Sequence, residues 1–292
     1  MGKKSTRKKI FKDMNQAIKM ELCEHRSSFI VYVTLRILVM VVMILQLLNG
    51  NYENVFLCIL TLLLLVVPSV LQVNLRIEIP SPLEITILLF IFAAEILGEI
   101  REFYIIFPYW DTMLHTINGF LAAAIGFSLV DILNRNERFS INLSPIFVAI
   151  VAFCFSMTIG VLWEFFEYGV DVFLKFDMQK DTVIHGISSV MLDPMGKNVP
   201  FKMKDITSVV VNGKDLGLNG YLDIGLIDTM KDLLVNFIGA VTFSVVGFFY
   251  VKNRGKGKFA KKFIPTIKKK ETDFLSIVCK KEKEKEKEKE KK

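Results

Sequence analysis

The sequence predicts an all-α polytopic membrane protein with about six transmembrane helices and a small extracytoplasmic insertion that contains a β-hairpin. Two observations predict this class. Hydrophobic residues make up 52% of the 292-residue chain, and they are concentrated in six windows rather than spread along it. Crossing a hydrocarbon core about 30 Å thick takes roughly 20 helical residues, and each of the six windows is expected to be long enough, the third being the shortest. The six predicted spans are residues 29–48, 55–73, 83–97, 113–133, 145–168 and 233–251.

The two ends of the chain are basic and flank the predicted membrane domain, residues 29–251. In the N-terminal tail, residues 1–28, lysines and arginines are interspersed with apolar residues at helical spacing. This pattern is typical of a helix that lies on an anionic inner leaflet. The C-terminal tail, residues 252–292, is rich in Lys and Glu and ends in a Lys/Glu alternation that predicts a solvated segment. Because the net charge of +7 is concentrated in these tails, we expect contacts with anionic lipids and no nucleic-acid partner.

The charge pattern predicts the orientation of the spans. An even number of spans returns the chain to the side on which it started, so both tails are expected inside. The loops that carry Arg76, Arg135 and Arg138 then also lie inside, as the positive-inside rule requires. The long connection at 175–227 is expected outside. It contains Asn212-Gly213 and Asn219-Gly220, dipeptides suited to tight hairpin turns, which predict a small β-hairpin cap.

Three predicted spans carry polar stripes near the same membrane surface. Residues three, four or seven apart share one face of a helix. The stripes are Asp111, His115 and Asn118 on the fourth span, Glu164, Glu167 and Asp171 on the fifth, and Asp228, Asp232 and Asn236 on the sixth. Each stripe alone fits a plainer interpretation, such as acidic residues at a helix N-terminus or at the membrane interface. Three stripes at one depth instead favour a shared polar pocket, because ionisable groups in membrane helices are costly.

The residue types in this pocket leave several chemistries open. One imidazole among carboxylates is a ligand set for a divalent metal ion such as Zn, Mn or Mg. Without a metal, the histidine is a general base oriented by carboxylates, and carboxylates that share a proton suit a proton-coupled transporter. The predicted catalytic groups or metal ligands are His115, Glu164, Glu167 and Asp228. The predicted substrate-positioning or supporting groups are Asp111, Asn118, Asp171, Asp232, Asn236 and Glu95, the last on a possible fourth wall with Glu99 and Glu102.

Several segments taken in order resemble a known family. They are WDTMLH at 110–115, NGF at 118–120, GVLWEFFE at 160–167, MQ at 178–179 and DTMKD at 228–232, followed by Asn236, Gly239 and Ala240. This set resembles the YjdF-type bacterial inner-membrane family, a domain of unknown function. More distantly, the start at Asp111 and His115 and the ending at Asp232, Asn236 and Gly239 are similar to VanZ-like membrane proteins, which are associated with glycopeptide-antibiotic resistance. The resemblance spans the third to sixth predicted helices, and implies a bacterial cytoplasmic membrane location but no reaction.

The functional hypothesis follows from the pocket. We expect an acidic, histidine-containing pocket open to the outer face, belonging to a metal-dependent hydrolase that acts on envelope or lipid substrates. The alternatives are a cation- or proton-coupled transporter and a non-catalytic membrane scaffold. A conduit requires polar residues through the whole membrane, and the spans offer few of these below the pocket.

Overall fold

The structure is a computed structural model that describes residues 2–134, 143–253, 255–268, 273–278 and 280. The predicted loop around Arg135 and Arg138 and the Lys/Glu alternation after residue 280 lie outside the described residues. The chain is mostly helical, as predicted. The α-helices are α1 (Gly2–Glu24), α2 (Arg26–Leu48), α3 (Tyr52–Leu64), α4 (Val67–Leu75), α5 (Ser81–Phe92), α6 (Phe103–Ile106), α7 (Trp110–Asn134), α8 (Pro145–Leu174) and α9 (Leu226–Lys252).

Five helical stretches among the described residues are long and apolar enough to cross a membrane. They are Arg26–Leu48, Tyr52–Leu75, Trp110–Asp131, Pro145–Leu174 and Leu226–Lys252. Their outward side chains include large exposed aromatic residues, for example Phe165 and Phe166 on α8. Exposed apolar surface of this extent is expected where a helix faces lipid. The protein is therefore a polytopic helical membrane protein.

The second and third predicted spans differ from straight helices. The second is interrupted between α3 and α4, where Pro68 occupies the first turn of α4 and cannot donate a backbone hydrogen bond to the preceding turn. The third consists of the 12 residues of α5 and an eight-residue π-helix, Ala93–Ile100, and is not among the five long apolar helices. Neither piece alone is as long as a membrane-spanning helix, and the segment carries Glu84, Glu95 and Glu99.

The helices α7, α8 and α9 pack against one another around a core that includes Phe127, Ala152 and Phe243. Small residues bring the backbones of α7 and α9 close together. A Cβ atom added to Gly239 would lie 2.1 Å from the Thr116 backbone oxygen, and one added to Gly119 would lie 2.1 Å from the Asn236 backbone oxygen. Membrane helices commonly use small residues in this way at their interfaces. A separate apolar cluster joins α2, α3, α5 and the π-helix.

The strands form short antiparallel pairs. Three lie in the long connection between α8 and α9: β2 (Thr182–Ile184) with β7 (Tyr221–Asp223), β3 (Ile187–Ser189) with β4 (Phe201–Met203), and β5 (Val210–Val211) with β6 (Lys214–Asp215). The predicted hairpin at Asn212-Gly213 is confirmed, since both residues have positive φ angles and join β5 to β6. The Asn219-Gly220 dipeptide closes no hairpin. It leads into β7, whose partner β2 lies far away in sequence.

The two ends of the chain meet on one side of the molecule. Strand β1 (Ile77–Glu78) pairs with β8 (Thr266–Ile267). The next residue, Lys268, forms a buried ion pair with Glu21 of α1. Burial nevertheless raises the pKa of the Glu21 carboxyl to about 7, because desolvation outweighs the attraction of Lys268. The described part of the predicted C-terminal tail therefore packs against α1.

Candidate functional site

The polar stripes of α7, α8 and α9 meet at one end of the bundle, which we call the site end. It is the end at which α7 and α9 begin and α8 ends. His115 lies in the second turn of α7, with only 8% of its surface exposed. Asp111, one turn earlier on the same helix, has a side chain that is 35% exposed. The helical period therefore places an accessible carboxylate directly beside a buried imidazole.

Three carboxylates from three helices surround the His115 ring. On one side, Nε2 lies 3.5 Å from Asp111 Oδ1 and 3.9 Å from Asp232 Oδ2. On the other side, Nδ1 lies 4.0 Å from Glu164 Oε1. Asp232 and Glu164 are buried, at 3% and 4% exposure. The imidazole thus stands between two carboxylates at one nitrogen and a third at the other.

The group at Nε2 has the dimensions of a metal site. One ligand atom from each of Asp111, His115 and Asp232 can be chosen so that the three lie within 4.8 Å of one another. Metal–ligand bonds of about 2.0–2.2 Å place two tetrahedral ligands roughly 3.4 Å apart. The distances from Nε2 to the two aspartates are close to that separation. Three protein ligands of this kind leave a fourth position for water or substrate, which is the pattern of a catalytic metal centre.

Glu164 is a buried carboxylate with unmet hydrogen-bonding capacity. Neither of its oxygens meets hydrogen-bond geometry with another described residue. A buried carboxylate without a donor is costly, so such a group usually faces a cation, a water or a ligand. The donors beside it are the Nδ1 nitrogen of His115, 4.0 Å from Oε1, and the side chains of Thr229 and Gln179. Glu164 is therefore a buried carboxylate beside groups that can donate to it, and none of them yet meets hydrogen-bond geometry.

Three other predicted carboxylates are used by neighbouring groups. Glu167 Oε1 accepts a hydrogen bond from Trp163 Nε1 at 2.8 Å. Asp171 accepts from the backbone nitrogens of residues 178 and 179 at 2.6 and 2.9 Å. Asp228 Oδ2 accepts from the backbone nitrogen of residue 180 at 2.8 Å.

Of the four residues predicted as ligands, His115 and Glu164 face each other. Asp111 and Asp232, predicted as supporting groups, are the carboxylates nearest Nε2.

The two predicted asparagines form a layer beneath the histidine. Asn118 Nδ2 donates to Asn236 Oδ1 at 3.3 Å, and Asn236 Nδ2 approaches the Ser156 carbonyl at 3.5 Å. Ser156 Oγ in turn donates to the Gly119 carbonyl at 2.7 Å. Asn236 is 1% exposed. These contacts connect α7, α8 and α9 immediately below the carboxylates.

The π-helix brings further carboxylates toward the site end. Tyr104 of α6 packs against Gly98, where an added Cβ would lie 2.4 Å from the ring. Burial raises the pKa of the Tyr104 hydroxyl, and the charges of Asp111, Glu99 and Glu95 raise it further. The phenol is therefore neutral and lies within electrostatic range of both the site and the π-helix. Glu95 belongs to this neighbourhood, although it is not part of the group around His115.

Two residues without a predicted role adjoin Glu164. The Thr229 hydroxyl and the Gln179 side-chain amide lie next to its carboxylate. Thr229 stands three residues before Asp232, so the helical period could have placed it on the same face. Gln179 lies in one of the segments that carry the family resemblance, but spacing alone could not show its contact with Thr229, which is 50 residues away in sequence.

Comparison with known proteins assigns the chain to a family. A family model described as "Predicted membrane protein (DUF2238)" matches residues 30–253. An uncharacterized protein of Thermotoga maritima is 28% identical over 117 residues, which is 40% of this chain and 56% of the relative. The chain thus matches about half the length of that curated relative, and no solved structure matches. Since the family model covers most of the chain, from α2 to the end of α9, the protein belongs to the DUF2238 family of predicted membrane proteins, which is the YjdF-type family.

Proposed function

We propose that this protein is a metal-dependent hydrolase whose centre lies at the site end, with His115, Asp111 and Asp232 as ligands of one divalent ion. The observation that carries the proposal is that one ligand atom from each of these three side chains, on two helices, lies within 4.8 Å of the others. Histidine with carboxylates suits Zn, Mn or Fe better than Ca.

Glu164 has a different role from the two aspartates in this proposal. It faces Nδ1 of His115 at 4.0 Å, whereas the aspartates face Nε2. Histidines that bind metals through one nitrogen commonly donate the other N–H to a carboxylate, which fixes the tautomer and the ring orientation. Glu164 fits this position, and a small closing movement forms the hydrogen bond.

The chemistry proposed is hydrolysis of a phosphate or acyl ester of an envelope or lipid substrate. His115, Asp111 and Asp232 would hold the ion, which would supply a bound water of lowered pKa and a positive charge beside a substrate oxygen. Asp111 is the most accessible of the ligands, so substrate approaches from its side. The apolar aromatic surface of α8 next to the site, including Phe165 and Phe166, suits a substrate with a lipid portion.

Packing below the site disfavours the transporter alternative. Within the described residues, the backbones of α7 and α9 approach closely at Gly119 and Gly239. Beneath that contact the interface is filled by Phe120, Phe127 and Phe243. A cation that passed along this interface would have to separate the helices. A site open at one end needs no such movement.

Metal binding by the detergent-purified protein tests the proposal. We expect the wild type to bind one Zn²⁺ or Mn²⁺ per chain, and both His115→Ala and Asp232→Asn to weaken that binding at least 100-fold. The matched control is His185→Ala, because His185 lies in the connection between α8 and α9 and contacts the backbone oxygen of Ile206. This control should bind metal as the wild type does.

Activity is then measured on vesicles that contain lipid phosphate esters and acyl esters, with and without the metal. Hydrolysis that requires the metal and is lost in Asp232→Asn supports the proposal. A wild type that binds no divalent ion saturably contradicts it. Uptake of Mn²⁺ into sealed vesicles that Asp232→Asn abolishes would favour the transporter instead. If His115→Ala and Asp232→Asn both match the wild type in metal binding and hydrolysis, a scaffold is favoured.

We also propose that the site end faces the outside of a bacterial cytoplasmic membrane, with the tails at 1–28 and 252–292 inside on anionic lipids. The membrane domain is then residues 29–251, with the outer insertion at 175–227. The basic tails and the arginine at position 76 support this orientation. In a cysteine-free background, Ser188→Cys should react with a membrane-impermeant maleimide on whole cells and Lys258→Cys should not. The reverse pattern would invert the topology.

A further inference from the structure

Residues 178–180 cross over the site end, and we call them the strap. They follow α8 and precede β2. Each of their three backbone nitrogens donates to a carboxylate. Asp171 near the end of α8 takes two of these hydrogen bonds, and Asp228 in the first turn of α9 takes the third. Two helices thus fix the strap from both sides.

Gln179 is the middle residue of the strap, and its backbone is held close to α9. A Cβ atom on Gly225, the residue before α9, would lie 2.7 Å from Gln179 Cβ. Gly225 also has a φ angle of +73°, which favours glycine. The side chain of Gln179 reaches α9 as well, since its Nε2 donates to Thr229 Oγ1 at 2.5 Å.

The direction of this hydrogen bond determines what Thr229 can do next. A threonine hydroxyl has one proton to donate and two lone pairs to accept. Because its oxygen already accepts from Gln179, its proton is available for another acceptor. The adjacent acceptor is the Glu164 carboxylate, which is 4% exposed and otherwise lacks a hydrogen-bond donor in the described part of the chain. A rotation of the hydroxyl proton and a small shift complete the contact.

We propose that Gln179 and Thr229 are the positioning residues of this site: Gln179 orients the Thr229 hydroxyl, Thr229 donates to Glu164, and Glu164 holds Nδ1 of His115. We call this series of contacts, from Gln179 through Thr229 and Glu164 to His115, the relay. It affects the metal through the histidine and makes no contact with substrate. It rests on the proposed function, because its end point is the orientation of a metal ligand. It also gives the strap a role, since Asp171 and Asp228 hold the residue from which the relay starts.

The relay predicts a specific dependence of metal affinity. Removal of groups that orient a metal-binding histidine typically weakens binding about 10–100-fold. Thr229→Val keeps the shape of the side chain and removes the hydroxyl, so it should fall in that range. Thr229→Ser keeps the hydroxyl and should restore most of the affinity. Gln179→Met should weaken binding in the same direction but less, because the hydroxyl remains.

A double-mutant cycle separates positioning from general structural damage. Zn²⁺ affinity is measured by competition with a chromophoric chelator on the full-length, detergent-purified protein, with Co²⁺ absorption as a check on coordination geometry. If Thr229 acts through Glu164, then Thr229→Val should cause no further loss in a Glu164→Gln background. The matched control is Thr242→Val, because Thr242 lies on the same helix and its hydroxyl bonds the Ile238 carbonyl away from the site.

The outcomes distinguish this inference from the proposed function. A wild type that binds neither Zn²⁺ nor Co²⁺ overturns the metal site and the relay together. A wild type that binds Zn²⁺, with Thr229→Val binding equally tightly, overturns the relay alone. A Thr229→Val loss of equal size with and without Glu164→Gln also overturns the relay. A loss seen only when Glu164 is present, with Thr242→Val unchanged, supports it.

Discussion

Replacing Gly239 with alanine tests whether the close contact between α7 and α9 sets the geometry of the site. The new Cβ would lie 2.1 Å from the Thr116 backbone oxygen and 2.8 Å from the Phe120 backbone nitrogen, where ordinary contacts are 3.4 Å or longer. Both atoms belong to the helix backbone, so they cannot rotate away as a side chain can. The two helices must therefore separate by about 1 Å or bend locally.

The energetic consequence is the balance of two terms. Overpacking of this kind typically costs about 1–3 kcal/mol. A glycine-to-alanine change inside a helix gains up to about 1 kcal/mol from helix propensity. Because the clash is with backbone, we take the cost near its upper end and expect a net loss of about 2 kcal/mol. The separation of 3.9 Å between His115 Nε2 and Asp232 Oδ2 would widen as well, so Zn²⁺ affinity should fall.

The assay is the midpoint of thermal unfolding in detergent, measured beside Zn²⁺ affinity. The matched control is Gly169→Ala, also within a helix, whose new Cβ would meet no atom within 4 Å. It should be as stable as the wild type or more stable, with unchanged affinity. If Gly239→Ala behaves like this control in both measurements, the interface between α7 and α9 does not hold the site in the way described.

Three further predictions concern other parts of the molecule. Glu21 has a pKa of about 7 in the folded protein and a usual value of 4.5, so its stabilising contribution is complete below pH 4.5 and is lost as the pH rises through 7. Glu21→Gln should remove that part of the pH dependence from a series of unfolding midpoints, and an unchanged slope would contradict the assignment. Three backbone N–H groups lower the pKa of the exposed Asp193 carboxyl below 3.8. The turn at residues 193–199, whose backbone donates to Asp193, should therefore be stable above pH 3.8. It should become protease-sensitive as the pH falls through the lowered pKa of Asp193 in the folded protein, and Asp193→Asn should abolish this pH dependence. Asn236→Leu leaves the Asn118 amide without its acceptor, so it should lower stability by about 1–3 kcal/mol. Equal stability of Asn236→Leu and the wild type would argue against the layer beneath the histidine.

The sequence was sufficient to predict the helices of the site and the faces that carry its polar residues. His115 and Asp232 could be predicted on inward-facing stripes because residues three or four apart share one face of a helix, and ionisable residues in a membrane helix avoid the lipid. Which residue of a stripe contacts which partner could not be predicted. Asp228 and Asp232 share one face of α9, but the carboxylate of Asp228 is occupied by the backbone of the strap. That contact joins Asp228 to the backbone of residue 180, which lies 48 residues earlier in the chain.

Other features were missed for similar physical reasons. The π-helix at Ala93–Ile100 has the composition of an ordinary helix, so nothing in the sequence distinguishes it from a continuation of α5. The C-terminal segment was predicted as a tail because its charge resembles that of a solvated region. In the folded chain Lys268 is buried against Glu21, and composition alone does not show such a pairing.

The pairing of β1 with β8 affects how the molecule would respond to cleavage. A single cut between Lys262 and Thr266 would leave the severed C-terminal piece bound through its strand partner Ile77 and through Glu21. The two fragments should then elute together from a sizing column in mild detergent, because the strand pair, the Glu21–Lys268 ion pair and the packing of Phe274 on α1 all hold the severed piece. A purification tag placed after the final residue would stay attached to the protein even after such nicking.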